Sequence, residues 1–171
     1  MIKLIILDVD GILTDGKKYY DSSGTAAYKT FCDKDFTAIK KFKSVNIEVV
    51  FLSGDNKINE AIAKNRNIPF YYTRGMCKSE FLHTLLEKYN CLSDEAVFMG
   101  DDTFDLEIMK KVKYAFCPSD APKEIKKISH VLKNKGGDNC VLELYEWLLE
   151  RDLISNYSIE NIYAIDQHEK F

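Results

Sequence analysis

A run of four apolar residues, Leu4, Ile5, Ile6 and Leu7, that stops at Asp8-Val9-Asp10-Gly11 constrains this chain more than any other stretch. So short an apolar run bounded by polar residues reads as a buried strand. In an open parallel sheet, ligands bind at the carboxyl edge of the strands, and that is where Asp8 and Asp10 fall. Residues 8 and 10 face one crevice while Val9 turns away. Gly11 lets the chain leave the strand in a conformation that a Cβ resists. Two carboxylates this close raise each other's pKa, and a bound divalent cation relieves the repulsion. Taken alone, Asp8, Asp10 and Asp15 also suit ordinary turn formation.

The remainder of the chain alternates strand and helix signals. Around the turn-rich Asp21-Ser22-Ser23-Gly24, residues 17–20 and 26–31 read as a β-hairpin beside the two carboxylates, exposed enough to pair with another subunit. Residues 36–45 suggest a short amphipathic helix, and 47–52 a second buried strand that ends at Ser53-Gly54-Asp55. A helix over 58–65, with Ile58, Ala61 and Ile62 inward, precedes a third strand at 69–72. Lys78 opens the clearest helix, where Phe81, Leu82, Leu85, Leu86 and Tyr89 recur at helical spacing. A cation at a helix N-terminus opposes the dipole, so an anion is expected beside it. A fourth strand, 96–99, ends at Gly100-Asp101-Asp102, ahead of a helix over 104–112. Strands near 114–116 and 131–132, a helix near 122–128 and a last strong helix over 140–149 complete the pattern. The expectation is one α/β unit over 1–150 that includes the hairpin 17–31, with a polar and aromatic tail over 151–171.

With 171 residues the chain has length for one sheet with helices on it, and a net charge of −3 offers no field for nucleic acid or an anionic membrane. A local cluster can still hold a small anion. Five cysteines, Cys32, Cys77, Cys91, Cys117 and Cys140, lack C-x-x-C spacing and read as reduced thiols, and dispersed His83, His130 and His168 give no zinc signature. The opening apolar run is too short for a signal peptide or membrane span, so a soluble cytoplasmic protein without membrane or nucleic-acid partners is expected.

Polar groups thus collect at strand ends and helix starts: Asp8 and Asp10, Ser53, Lys78, then Asp101, Asp102 and Asp105. In this order they resemble the haloacid dehalogenase superfamily of phosphohydrolases, whose pattern runs D-x-D, strand-end Ser or Thr, Lys, and G-D-D. The resemblance covers nearly the whole chain and implies a three-layer, Rossmann-like parallel sheet with a small hairpin flap. It implies Asp8 as nucleophile through an aspartyl-phosphate, and Asp10 as acid and then base. Magnesium would be held by Asp8, the backbone carbonyl of Asp10, and Asp101. Asp102 and Asp105 would hold metal-bound water or orient Lys78. Ser53, Gly54 and Lys78 would bind the phosphoryl group.

Only a hairpin follows Asp10, and only residues 56–77 separate Ser53 from Lys78, so no cap domain is present. Asp-Val-Asp-Gly-Ile-Leu-Thr-Asp-Gly, Gly-Asp-Asp-Thr-Phe-Asp-Leu, Cys-Pro-Ser-Asp-Ala-Pro and Gly136-Gly137 are similar to the 3-deoxy-D-manno-octulosonate (KDO) 8-phosphate phosphatases and their nonulosonate 9-phosphate relatives. That family forms homotetramers through its hairpins. By this resemblance Asp15 and Gly16, Asp33-Lys34-Asp35, Arg74 and Lys135-Gly136-Gly137 lie near a sugar acid, with Arg74 or Lys34 meeting its carboxylate. Asp55 stands where the octulosonate branch usually has arginine, as in the nonulosonate branch, and Arg66 is its candidate partner. Phe36 stands where the family tends to have a small residue. The implied activity is magnesium-dependent hydrolysis of a 2-keto-3-deoxy sugar acid phosphate. A broad-specificity phosphatase or phosphomutase is the alternative, and a receiver-type signalling domain fits less well because its acceptor aspartate lies on a later strand.

Overall fold

In the computed structural model, which describes residues 1–170, the opening apolar run is β1 (Leu4–Leu7). A hairpin of β2 (Tyr19–Tyr20) and β3 (Ala26–Tyr28) follows, and then α1 (Asp33–Ser44), β4 (Glu48–Ser53), α2 (Lys57–Asn65) and β5 (Phe70–Tyr72). The second half contains α3 (Lys78–Lys88), β6 (Ala96–Met99), α4 (Leu106–Met109), β7 (Tyr114–Cys117), α5 (Lys123–Lys126), β8 (His130–Val131), α6 (Cys140–Leu149) and α7 (Ile159–Asp166). Six strands form one parallel sheet in the order β5-β4-β1-β6-β7-β8, and the hairpin stands apart as its own two-stranded sheet.

β1 lies at the centre because its residues are apolar on both faces. Ile5 and Leu7 pack in one layer with Phe36, Ile39 and Phe42 of α1 and Val141, Leu144 and Leu148 of α6. Leu4 and Ile6 point the other way, onto Leu82 and Leu85 of α3, Ile108 and Met109 of α4, and Ile125 of α5. The three layers therefore follow from side-chain alternation along four residues. The chain runs outward through β4 and β5, then returns to β6 on the other side of β1. This reversal opens a crevice at the carboxyl ends of β4, β1 and β6, where Ser53, Asp8 and the loop after Met99 sit.

Three local readings differ from the sequence expectation. The helix expected over 104–112 is a 3₁₀ turn, Thr103–Asp105, followed by the single turn α4, because Asp102 and Asp105 bond to backbone N–H groups and tighten its start. On α2 the buried positions are Asn59 and Ala63, while Ala61 is exposed. The helix is rotated to aim the Asn59 amide at the crevice. The tail carries α7, which lies along α1. Lys40 pairs with Asp166 and, at 3.0 Å, with Glu169, and Arg66 Nη1 donates to Glu169 Oε2 at 2.8 Å. Asn161 Nδ2 donates to the carbonyl of Ser44 at 2.9 Å. No helix among the described residues is long and apolar enough to cross a membrane.

α1 and α6 are joined by a helix cap that reaches between them. Buried Asp35 accepts hydrogen bonds at Oδ1 from the backbone N–H groups of Val141 (2.9 Å) and Leu142 (3.0 Å), in the first turn of α6. Burial pushes this carboxyl up to about 6, against the helix-terminal hydrogen bonds that favour its charge. The folded chain therefore holds the proton more tightly than the unfolded chain, whose carboxyl titrates near about 3.9. Stability contributed by Asp35 is fully present below that value and declines as pH rises toward about 6. Asp35→Ala is expected to cost about 1–2 kcal/mol in urea unfolding near pH 4.5, as for other lost helix caps, and measurably less at pH 7.

Candidate active site

Asp8 leaves β1 buried, and Lys78, the first residue of α3, meets it across the crevice with Nζ 3.0 Å from Asp8 Oδ1. The same ammonium lies 2.6 Å from Oδ1 of fully buried Asp105. The anion expected at this helix start is thus a pair of carboxylates. Burial works against the charge on Lys78, yet Asp8 and Asp105 together hold its pKa above the ordinary value. Asp105 is itself fixed, because its Oδ2 accepts from the N–H groups of Asp101 (3.0 Å) and Asp102 (3.1 Å). Gly100 makes room for it, since a Cβ there would overlap the carboxylate. Asp102 closes this turn as a cap, accepting from Thr103 N at 2.6 Å, and does not reach Lys78.

Asp101 faces Asp8 from the end of β6. Carboxylate oxygens of Asp8, Asp101 and Asp105 all lie within 4.8 Å of one another. Both oxygens of Asp105 already have donors, whereas Asp101 Oδ1 is buried with no hydrogen-bond partner among the described residues. Burial, reinforced by Asp8 and Asp105, pushes Asp101 up to about 8. Asp8 is pushed up to about 7 by burial, which Lys78 opposes and Asp105 reinforces. Two neighbouring carboxyls whose charge burial disfavours, one with an unsatisfied oxygen, fit a hard divalent metal ion. Gly11, at φ +86, keeps the space in front of Asp101 open, where a Cβ would collide with its carboxylate.

Asp10 lies apart from that pair and faces the hairpin. Lys29, just beyond β3, places Nζ 2.7 Å from Asp10 Oδ1 and 2.8 Å from Asp55 Oδ2. Asn59 Nδ2 donates to Asp10 Oδ2 at 2.9 Å and to Ser53 Oγ at 3.0 Å. Ser53 Oγ also accepts from Asp55 N at 3.2 Å, so its own O–H is left to donate. Asp55 is paired with Lys18 (2.9 Å) as well as Lys29, and the two ammonium groups outweigh burial and hold it down at about 2. Its partners come from the hairpin, where the sequence had suggested Arg66. Lys18, Lys29 and Asn59 belong to no motif. The one available signal was a polar residue between the inward-facing Ile58 and Ile62.

Asp8, Asp10, Lys18, Ser53, Asp55, Lys78 and Asp101 line a cavity of about 1150 Å³ together with Gly16, Gly54, Arg74, Met76, Thr103 and Phe104. Arg74 is exposed on its wall and has no ion-pair partner among the described residues. Several residues expected near a sugar acid are elsewhere. Asp33 and Lys34 are exposed at the start of α1, and Arg66 stacks on Phe36 at 4.1 Å and binds Glu169, drawn there by the C-terminal segment. Asp15 turns back to accept from Lys17 N at 3.0 Å. Gly136 and Gly137 act as packing: a Cβ on Gly136 would overlap the carbonyl of Gly11, and Gly137 N donates to Ile12 O at 2.8 Å. They support the loop carrying Gly11 from behind.

The chain is similar in sequence and fold to known proteins. The family model for haloacid dehalogenase-like hydrolases matches residues 55–144. The 3-deoxy-D-manno-octulosonate 8-phosphate phosphatase of Haemophilus influenzae is 31% identical over 151 residues, covering 87% of this chain and 83% of that protein. The cobalt-bound deoxy-D-mannose-octulosonate 8-phosphate phosphatase of the same organism superposes with a TM-score of 0.81 at 32% identity, over 87% of this chain and 88% of that one. The Moraxella catarrhalis phosphatase, solved with magnesium, phosphate and KDO, gives a TM-score of 0.81 at 25% identity, over 97% and 92% of the two chains. With a family match across more than half its length and a phosphatase relative above 30% identity across most of it, the chain belongs to the haloacid dehalogenase-like hydrolases and is a phosphatase.

Proposed function

We propose that this phosphatase hydrolyses the phosphate monoester of a 2-keto-3-deoxy sugar acid, with KDO 8-phosphate as its substrate and magnesium as its metal. The observation that carries the reading is the convergence of Asp8, Lys78 and Asp101 at the carboxyl ends of β1 and β6, with Asp10 two residues beyond the nucleophile and Ser53 across the crevice. The KDO 8-phosphate phosphatases among its relatives and the magnesium and KDO in the Moraxella enzyme support the substrate and the metal.

Asp8 attacks phosphorus, and a bond from its carboxylate to phosphorus forms as the bond to the sugar oxygen breaks. Asp10 gives its proton to that departing oxygen. Water then attacks the aspartyl-phosphate, passes a proton to Asp10, and the bond to Asp8 breaks, so ester and water yield alcohol and inorganic phosphate. Asp8, Asp101 and the backbone carbonyl of Asp10 would hold the divalent cation, which when bound would neutralise charge on the carboxylates and the phosphoryl oxygens. Lys78 keeps Asp8 ionised, and the free O–H of Ser53 donates to a phosphoryl oxygen. Arg74, unpaired on the cavity wall, meets the sugar acid carboxylate. Lys34, exposed at the start of α1, does not line the cavity and has no part in this reading.

The hairpin carries Tyr19, Tyr20 and Tyr28 at 52%, 64% and 66% exposure, which supports assembly into a homotetramer through this face. Light scattering should then give about four chain masses, and a persistent monomer would refute the assembly.

A phosphate-release panel of KDO 8-phosphate, nonulosonate 9-phosphates and hexose phosphates should favour KDO 8-phosphate, with activity lost in chelator and restored by magnesium. A preference for nonulosonate 9-phosphates would move the assignment to the branch that Asp55 resembles, and a preference for hexose phosphates would refute the sugar acid. Asp8→Asn should abolish turnover on every ester. Lys78→Met leaves Asp8 and Asp105 without their shared cation, so it should lose activity and about 3–5 kcal/mol of stability in the metal-free protein by urea unfolding.

A further inference from the structure

The side chain of Lys29 is fully buried, with 0% exposure, although it arises from a hairpin whose tyrosines face solvent. Its ammonium donates to Asp55 Oδ2 at 2.8 Å and Asn59 Oδ1 at 2.9 Å and forms an ion pair with Asp10 Oδ1 at 2.7 Å. The orientation of the Asn59 amide is then fixed. Its carbonyl must face the ammonium and its NH₂ the Asp10 carboxylate, because the reverse would set donor against donor and acceptor against acceptor. Asp10 is consequently held at both oxygens, by Lys29 on one and Asn59 on the other. Burying a lysine ammonium is costly unless acceptors surround it, so the hairpin seats on the crevice only with the carboxylates of Asp10 and Asp55 turned toward Lys29.

We propose that Lys29 and Asn59 are positioning residues that set the carboxylate of Asp10 for proton transfer, so that seating of the hairpin and orientation of the acid/base are one event. The proposal rests on the role given to Asp10 above. Neither residue touches the reacting atoms. Their effect is on where the Asp10 carboxylate points, and a misplacement of about 1 Å at a reacting group costs about 100-fold in rate. Lys29 also holds Asp55, which Lys18 reaches from the other arm of the hairpin, so both arms are anchored at the crevice.

The test uses leaving groups that differ in their need for a proton. For a reaction through a phosphoenzyme, kcat/KM covers the steps up to departure of the alcohol. A sugar alkoxide requires the proton of Asp10 and 4-nitrophenolate does not. The ratio of kcat/KM for KDO 8-phosphate to that for 4-nitrophenyl phosphate is therefore measured for the wild type, Asp10→Asn, Lys29→Met and Asn59→Ala. The expected result is a ratio lowered about 10- to 100-fold in Lys29→Met and Asn59→Ala, in the direction of Asp10→Asn but smaller. A merely structural role would depress both esters together and leave the ratio unchanged. Should Lys29→Met not fold, Asn59→Ala, which leaves every charge of the cluster in place, carries the test. If Asp10→Asn lowers the ratio and neither clamp variant does, the positioning role is overturned while the mechanism stands. If Asp10→Asn leaves the ratio unchanged, or wild type does not hydrolyse the sugar ester, the mechanistic reading itself fails and the proposal falls with it.

Discussion

The site depends on one buried ammonium. Lys78 stands between Asp8 and Asp105, all three removed from solvent, and each element that shapes the crevice is tied to this contact. β1 supplies Asp8, α3 supplies Lys78, and the turn after β6 supplies Asp105, which through Oδ2 gathers the N–H groups of Asp101 and Asp102. Desolvating a charged lysine and two carboxylates is unfavourable unless geometry and remaining hydrogen bonds are satisfied together. Here Asp105 is saturated, and Gly100 admits it at close range. The arrangement is therefore demanding, and the 3₁₀ turn in place of a longer helix follows from it.

The same contact separates two carboxylates that sequence alone treats alike. Asp105 is consumed by Lys78 and by backbone donors, so it serves as a fixed strut. Asp101, four residues earlier, keeps an oxygen without a donor beside Asp8, and burial with mutual repulsion raises both carboxyls. A position where ionisation is disfavoured until a cation arrives is what a metal site requires. Hydrogen bonding, rather than spacing along the chain, distinguishes the carboxylate open to a cation from the strut.

Much of the framework was legible because it is written in local signals. Four apolar residues ended by aspartate define β1, period-2 alternation assigns its side chains to two layers, and polar residues at successive strand ends locate the crevice. Ser53, Lys78, Asp101 and Asp105 all reach that crevice for this reason. What the sequence concealed lies in pairings between distant elements. Lys29 looks like any lysine in a hairpin until the hairpin folds back over Asp10. Asn59 was hidden because α2 rotates to present it. Arg66 has the right charge to serve Asp55, but Glu169, more than a hundred residues later, takes it, and the hairpin lysines take Asp55. Gly136 and Gly137, which the resemblance sets near a sugar acid, also meet a requirement that no local signal announces, the close approach of two backbones.

The charges of the crevice also account for one another. Five carboxylates, those of Asp8, Asp10, Asp55, Asp101 and Asp105, meet three ammonium groups, those of Lys18, Lys29 and Lys78. The hairpin lysines serve Asp10 and Asp55, and Lys78 serves Asp8 and Asp105. Asp101 has no ammonium partner among the described residues, so acidity collects at Asp8 and Asp101, where a divalent cation would match it. In a wetter site such a surplus would be screened by solvent. Here burial prevents that, so the imbalance is localised where the unsatisfied oxygen lies. By pairing with Asp10 and Asp55, the hairpin lysines leave Asp101, beside Asp8, as the carboxylate without an ammonium of its own.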